Sequence, residues 1–287
     1  MILHSVSQSK EFPLALDPIA ESAKRGAPSL GRQQDPLTGR LSGFPWWLVA
    51  IILILIWGAY FVLTTTDYRE AFDFIIRGVQ VTVETTIYAY VIALVIGLVM
   101  GLGRVSRNLI FRNSARFYVE VVRGIPILVL IFYVAFVASV DAARAVGLDP
   151  RGIPMQARAV AALAITYGAF LAEIFRAGIQ SIGRGQMEAA RSLGMSYGQA
   201  MRYIILPQAV RNVLPALGND FISMLKDSSL ISVLAVRDIT QVARLHAGST
   251  FRFREAYTVL ALLYLSMTLV LSSLLQWVER RLHVSQK

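Results

Sequence analysis

Cysteine is absent from the 287-residue sequence, and charged residues make up only 16% of it. Without cysteine the chain has no disulfide framework, no thiolate metal site and no thiol nucleophile. The histidines His4, His246 and His283 show no metal-binding spacing. A glycine-rich phosphate-binding loop ending in Lys and Ser or Thr is also missing. The chain alone is therefore predicted to have no catalytic residues, no metal site and no cofactor of its own.

Hydrophobic residues, in contrast, make up 55% of the sequence. That fraction exceeds the average of soluble domains and predicts an integral membrane protein. The formal net charge is +10, but the arginines lie mainly in short segments between apolar runs. Such a distribution is typical of loops that face a cytoplasm and anionic lipid, and no soluble basic domain is present to bind nucleic acid.

The apolar runs predict an all-α fold with about six transmembrane helices, because about 20 apolar residues are needed to cross a bilayer. Pro215, Asp220, Lys226 and Asp227 interrupt the sixth run, which predicts a bent or broken helix. No signal peptide is expected, since the first apolar run begins only at Trp46. The predicted spans are 46–63, 78–103, 124–140, 159–182, 208–236 and 256–278.

The distribution of Lys and Arg predicts that both termini are cytoplasmic. With six spans and the N-terminus inside, the inner segments hold 17 Lys and Arg and the outer segments hold 9. An excess of positive charge marks the cytoplasmic side. This orientation places residues 184–211 in the cytoplasm and predicts a multi-pass protein of the bacterial inner membrane.

One cytoplasmic segment, EAARSLGMSYGQAMRYIILP at 188–207, is amphipathic and too polar to cross lipid. Two interpretations fit this pattern: a helix lying on the inner leaflet, or a helix that docks onto a protein partner. Small residues at Ala189 and Ala190 and a possible turn at Gly194 favour the partner. Its apolar residues recur at helical spacing, predicting one apolar face made of Met187, Ala190, Leu193, Tyr197, Met201 and Ile204.

The same segment resembles the signature loop of ABC-importer permease subunits, in particular the polar amino-acid family of the histidine and glutamine type. The stretches RGIPILVLIFY from Arg123 and AEIFRAGIQSIGRG from Ala172 are also similar to that family, and the likeness covers about residues 78–278. The positions that match the loop signature are Glu188, Ala189, Ala190, Gly194, Ile204, Leu206 and Pro207.

This resemblance implies the transmembrane-domain fold of type I ABC importers, with residues 188–207 as the signature loop and a helix at about 185–193 as the element that couples to the ATPase. It further implies uptake of polar amino acids or related derivatives by alternating access. The implied partners are an ATP-binding subunit that binds ATP and Mg, an extracytoplasmic amino-acid-binding protein, and a second permease copy or a sister permease. Three regions are then expected: a flexible tail at 1–44, an additional helix with an outer loop at 45–77, and the transporter domain at 78–287.

Two other functions compete with this one. The first is a secondary transporter driven by an ion gradient, which would have paired halves and coupling carboxylates in mid-membrane. The second is a membrane scaffold that recruits a nucleotidase without transporting anything. The secondary transporter leaves the loop signature unexplained, and no paired halves are visible in the sequence. Uptake that needs ATP and a binding protein favours the importer, uptake driven by an ion gradient favours the secondary transporter, and hydrolysis without uptake favours the scaffold.

Two sets of polar residues within or beside the spans are further candidates for functional sites. Glu120 and Arg123, and likewise Glu173 and Arg176, are three residues apart. Their spacing fits either two local pairs or one network between helices near the cytoplasmic end.

Asn219 and Asp220 form the second candidate, as residues of a translocation path, with Glu84 as a further charge in a span. Asp220 lies about 18 Å into the sixth span, where a carboxylate needs water, a partner or a substrate ammonium. A structural role, in which Asp220 caps a broken helix or pairs with a basic residue, is the alternative.

Overall fold

The computed structural model describes residues 46–281, apart from the side chain of Arg184, so the predicted tail at 1–44 lies outside the described residues. This range is helical and contains no strand. The helices are α1 Trp46–Thr64, α2 Thr66–Ile75, α3 Val79–Val105, α4 Leu109–Gly124, α5 Ile127–Tyr133, α6 Ser139–Ala145, α7 Met155–Gln180, α8 Arg184–Ser192, α9 Tyr197–Ala200, α10 Leu206–Asp227, α11 Ile239–Thr250 and α12 Phe253–Arg281.

Five stretches of residues 46–281 are long and apolar enough to cross a membrane: α1, α2 with α3, α5 with α6, α7 and α12. The prediction of an all-α membrane protein is therefore confirmed. The sixth predicted span is also helical, as α10, but its polar residues keep it outside this apolar group. Its helix continues through Pro215 and gives way only at Ser228 to a 3-10 segment, Ser228–Leu234.

The main core forms where α3 packs along α7. Small residues of α3 recur every four positions, and they line one face of that helix. A Cβ on Gly97 would lie 2.5 Å from the Cβ of Leu171, and one on Gly101 would lie 2.7 Å from the Cβ of Phe175. Only small residues allow helices to approach so closely, as is typical of membrane helix pairs. The face consists of Ala89, Ala93, Gly97 and Gly101.

Three segments expected to connect spans are largely helical. They are 64–77, which contains α2, 104–123, which contains nearly all of α4, and 237–254, which contains α11. On α2, Tyr68, Ala71 and Ile75 are buried and belong to one apolar cluster with Ile239 and Ala243 of α11. Their polar residues weakened the helical pattern in the sequence, but burial of one face against a neighbouring helix stabilises each of them.

The start of α11 is fixed by a buried cap. Asp238 is fully buried, and its Oδ1 accepts a hydrogen bond from the backbone N–H of Gln241 at 2.9 Å. The backbone N–H of Ile239 donates to Thr82 Oγ1 on α3 at 3.1 Å. Burial raises the pKa of the Asp238 carboxyl to about 6, although backbone donors at the cap oppose this shift. The cap therefore links α11 to α3.

We expect Gly78→Ala to destabilise this junction by about 1–3 kcal/mol, the usual cost of overpacking a tight site. Gly78 has an ordinary φ of −77°, so the cost is steric: an added Cβ would lie 2.7 Å from the backbone N and Cα of Ile239. The matched control is Gly248→Ala within α11, where an added Cβ meets nothing within 4 Å and helix propensity favours alanine. Thermal unfolding of both variants in detergent checks the difference, and equal midpoints would contradict the steric account.

Candidate functional site

The signature segment folds as two short helices joined by a tight turn. Gly194 follows α8 with a φ of 84°, the positive value expected for it. Its N–H donates to the carbonyl of Arg191 at 3.0 Å, and the N–H of Met195 donates to the carbonyl of Ala190 at 3.2 Å. This bond pair is a Schellman termination, which glycine adopts without the steric cost that a side chain imposes.

After the turn, the chain forms a second short helix, α9. Ser196 caps α9, because its hydroxyl accepts from the N–H of Gln199 while the Gln199 side chain accepts from the N–H of Ser196. A wide turn at Met201–Ile205 follows, and α10 begins directly with Leu206 and Pro207. Proline is tolerated there because the first turn of a helix needs no N–H donor. Residues 184–207 therefore form a rigid bent unit, called the knuckle, which leads directly into α10.

Burial separates the signature residues into two groups. Ala190 is almost completely buried, and α8 packs against α9 and the wide turn. Ile204 packs against a small cluster that contains Ile179 of α7. Glu188, Ala189 and Gly194, in contrast, are exposed. The buried group holds the knuckle together, and the exposed group presents a surface.

The prediction that Leu193 shares an apolar face with Ala190 is wrong. Its side chain is 83% exposed, the largest exposure among the large apolar residues of the described part. The helical spacing that placed it on the buried face assumed one continuous helix, but α8 ends at Ser192 and the turn at Gly194 redirects the chain. Leu193 therefore projects from the tip of the knuckle.

The knuckle packs against the ends of three other helices. One apolar cluster joins it to α3, α7 and α10 and contains Leu102, Val105, Ile179, Met187, Met201, Ile204 and Ala209. Arg107, in the connection between α3 and α4, lies over the ring of Tyr197 with 4.6 Å between its Cζ and the ring centroid. The Asn212 side chain on α10 donates to Ser181 Oγ at the end of α7, at 3.1 Å. Displacement of the knuckle would thus be transmitted to the ends of α3, α7 and α10.

Glu173 is the centre of an ionic network between helices. Its carboxylate lies 2.6 Å from Arg176 Nε, 3.1 Å from Arg104 Nη1 and 3.3 Å from Arg123 Nη1. Glu120 is peripheral, 3.9 Å from Arg104 Nη2, and mostly exposed. The structure thus joins the four predicted residues through contacts between α3, α4 and α7 instead of two separate local pairs.

Arg104 is the member of this network that the sequence did not single out. It was counted only among the positive charges of a cytoplasmic segment, since Glu173 lies 69 residues further along the chain. Its side chain is only 13% exposed. The signal available in the sequence was the scarcity of acids near these span ends, which requires one carboxylate to serve several arginines.

Asp220 lies within α10 beside aromatic and acidic groups. The Oδ2 atom of Asp220 is buried and has no hydrogen-bond partner among residues 46–281. Tyr90 of α3 donates to the carbonyl of Leu217 at 2.5 Å, and Tyr167 of α7 donates to Asp227 Oδ2 at 2.7 Å. The alternative that Asp220 caps a broken helix fails, because α10 continues to Asp227.

The other two path candidates have surroundings different from those of Asp220. Asn219 is exposed, as expected when neighbouring helical residues point about 100° apart. Glu84 accepts a hydrogen bond from Gln80 Nε2 at 2.8 Å and lines a groove of about 650 Å³ between α3 and α7. Within residues 46–281 no hydrogen bond or ion pair joins Glu84 to Asp220. The described residues therefore show no direct contact that joins Glu84 to the pair on α10.

The described residues contain no group of three or more His, Asp or Glu arranged to hold a metal ion. The features of the described part that bear on function are therefore a rigid exposed knuckle, a polar cluster inside the bundle and an ionic network at the end of the spans. These features suit the transmission of force and the passage of a polar solute through helices.

Known proteins resemble this chain over most of its length. The sequence model of the family described as "Binding-protein-dependent transport system inner membrane component" matches residues 93–284. The glutamine transport system permease protein GlnP of Escherichia coli (strain K12) is 36% identical over 214 residues, covering 75% of this chain and 95% of GlnP. A protein of Bacillus subtilis (strain 168) named "Probable glutamine ABC transporter permease protein GlnM" is 42% identical over 170 residues, covering 58% of this chain and 74% of GlnM.

A solved structure is similar as well. It is described as "Crystal structure of an amino acid ABC transporter with histidines", and its chain shares 41% sequence identity with this one. The TM-score is 0.66, with 76% of this chain and 97% of that chain covered.

Proposed function

Because this chain belongs to the family of binding-protein-dependent transport system inner membrane components, we infer that it is the permease subunit of an ABC importer of amino acids. The observation that carries this inference is the knuckle at 184–207, which folds into a helix, a Gly194 turn and a second short helix. Its signature residues lie in the first helix, at the turn and where the chain enters α10. Ion-gradient transport has no support from the relatives.

We propose that the knuckle docks onto a separate ATPase subunit, which binds ATP and Mg. Leu193 and the exposed residues Glu188 and Ala189 would contact that subunit, while Ala190 keeps α8 fixed on α9. Closure of the ATPase would then displace the ends of α3, α7 and α10 through the apolar cluster that Met187 and Ile204 share with those helices. Both termini are proposed to be cytoplasmic, on the same side as the knuckle.

An extracytoplasmic binding protein is proposed to deliver the substrate, and a second copy or a sister permease completes the path. The names of GlnP and GlnM point to polar amino acids as the substrate class. Every such substrate carries an ammonium group. Moving that charge into the bundle costs less free energy when a carboxylate lies beside it. The partly buried Asp220, with its unpartnered Oδ2, supports this role best.

We expect Asp220→Asn to lower substrate uptake about tenfold or more, since a charge-assisted contact with an ammonium contributes about 1.5–3 kcal/mol. The measurement is ATP-dependent uptake into proteoliposomes that contain the assembled complex. The matched control is Asp141→Asn, which removes an exposed carboxylate 4.0 Å from Arg144. Normal uptake and normal substrate-stimulated hydrolysis in Asp220→Asn would refute the contact with substrate.

The proposed function is tested by determining which energy source drives uptake. Uptake by the assembled complex should require ATP and the loaded binding protein, and it should persist when proton and sodium gradients are abolished by ionophores. Uptake by this chain alone, driven by either gradient, would overturn the proposal. Hydrolysis without any uptake would instead support a scaffold.

A further inference from the structure

A cleft at the ends of α3, α4 and α7 is lined by basic and amide side chains. Its volume is about 340 Å³, and its lining consists of Arg104, Arg112, Asn113, Arg116, Arg176 and Gln180. Arg104 and Arg176 form its inner part, where both contact Glu173, and the α4 residues form its open side. Four guanidinium groups thus surround one concavity whose lining includes no carboxylate.

Acidic groups around the cleft do not balance this charge. Glu173 is shared by Arg104, Arg123 and Arg176, and the mostly exposed Glu120 reaches only Arg104 at 3.9 Å. Arg104 Nη1 is buried and lies 3.1 Å from Glu173 Oε2, yet it makes no hydrogen bond within the described part. The inner part of the cleft therefore holds a guanidinium group whose contact with Glu173 is an ion pair without a hydrogen bond.

Arg112 and Arg116 have no ion-pair partner among residues 46–281. They are four residues apart on α4, so their like charges face the same side of the helix and repel each other. An anion in the cleft would relieve this repulsion. Guanidinium groups bind phosphate oxygens through paired hydrogen bonds, which makes a phosphate group the ligand that this arrangement fits.

We propose that this cleft binds a phosphate group, such as that of an anionic phospholipid. Arg104 lies one residue before the end of α3, and Arg176 lies in the last turns of α7, so the cleft is at the level where two apolar spans end. Phospholipid phosphates occupy that level of a bilayer. Ile110 and Phe117 of α4, 80% and 71% exposed, supply apolar surface for the acyl chains beside it. The second source of the same chemistry is free phosphate.

The test measures ligand-induced thermal stabilisation of the full chain in nonionic detergent at constant ionic strength. The probes are dihexanoyl phosphatidylglycerol, dihexanoyl phosphatidylcholine and inorganic phosphate. The double variant Arg112→Gln with Arg116→Gln removes the positive charge of the two arginines on the open side of the cleft. The matched control, Arg144→Gln with Arg151→Gln, removes two exposed arginines from a different part of the chain.

Phosphatidylglycerol is expected to raise the unfolding midpoint of the unmodified chain and of the control, while phosphatidylcholine does not. The cleft variant should need at least about tenfold more ligand for half-saturation. Stabilisation by phosphatidylglycerol alone identifies a lipid headgroup, and equal stabilisation by inorganic phosphate identifies free phosphate. Unchanged half-saturation in the cleft variant, or equal effects of the two lipids, overturns the proposal.

Both substituted arginines are exposed, so the double variant should fold, and its midpoint without ligand verifies this. If it does not fold, Arg112→Gln and Arg116→Gln are measured singly. Each should then raise the ligand concentration at half-saturation about threefold or more. Unchanged binding in both single variants would equally overturn the site.

Discussion

Leu193→Asp is expected to abolish most ATP-driven uptake while the chain still folds and inserts. The side chain is 83% exposed at the tip of the knuckle, so its replacement removes almost no contact within the chain, and stability should change by no more than about 0.5 kcal/mol. A desolvated apolar anchor at a protein interface contributes about 2 kcal/mol or more, which corresponds to about thirtyfold weaker association with the ATPase.

The measurements are co-purification of the ATPase subunit with the variant and uptake by the assembled complex. The matched control is Leu148→Asp, because Leu148 is also a largely exposed leucine but lies in the connection between α6 and α7. The control should retain ATPase association. Wild-type uptake by Leu193→Asp would show that the tip does not contribute to coupling.

Glu173→Gln is expected to have the largest effect on stability. The carboxylate lies 2.6–3.3 Å from Arg104, Arg123 and Arg176, and its replacement leaves three guanidinium groups without a shared counter-charge. Removal of one partner from a buried charged pair costs about 3–5 kcal/mol. Because the Glu173 side chain is 24% exposed, we expect a cost near the lower limit of that range.

Denaturant unfolding of the purified chain in detergent measures this loss. Glu120→Gln serves as the comparison, since Glu120 is 65% exposed and its one contact, with Arg104, is 3.9 Å long. A surface pair of that kind contributes about 1 kcal/mol or less. If the two variants lose the same stability, Glu173 is not the centre of the network.

The membrane spans could be predicted from sequence because their signal is local. A run of about 20 apolar residues needs no knowledge of its neighbours, and the predicted run at 159–182 corresponds to α7 within four residues at each end. The turn at Gly194 was predictable for the same reason. Glycine at the end of a short amphipathic helix is a local pattern, and its positive φ follows from the Schellman bonds.

Other features depended on contacts between distant parts of the chain. Arg104 meets Glu173 only because the small residues of α3 bring it close to α7, and the separation in sequence conceals the pair. Leu193 was assigned to the buried face because periodicity was extended across a helix end. Asn219 and Asp220 were proposed for the path because of their depth in a span, and Glu84 because it is a further charge in a span. Depth does not determine which face of a helix a residue occupies.

The lack of cysteine allows the coupling role of the knuckle to be measured in the otherwise unmodified chain. Leu193→Cys and, as control, Leu148→Cys would each carry the only thiol of this subunit. A thiol-to-amine cross-linker is then added to the complete complex in lipid. A cross-link from Leu193→Cys to the ATPase subunit, and none from Leu148→Cys, is the predicted result. Capture of the ATPase by Leu148→Cys, with none by Leu193→Cys, would contradict the proposed docking of the knuckle.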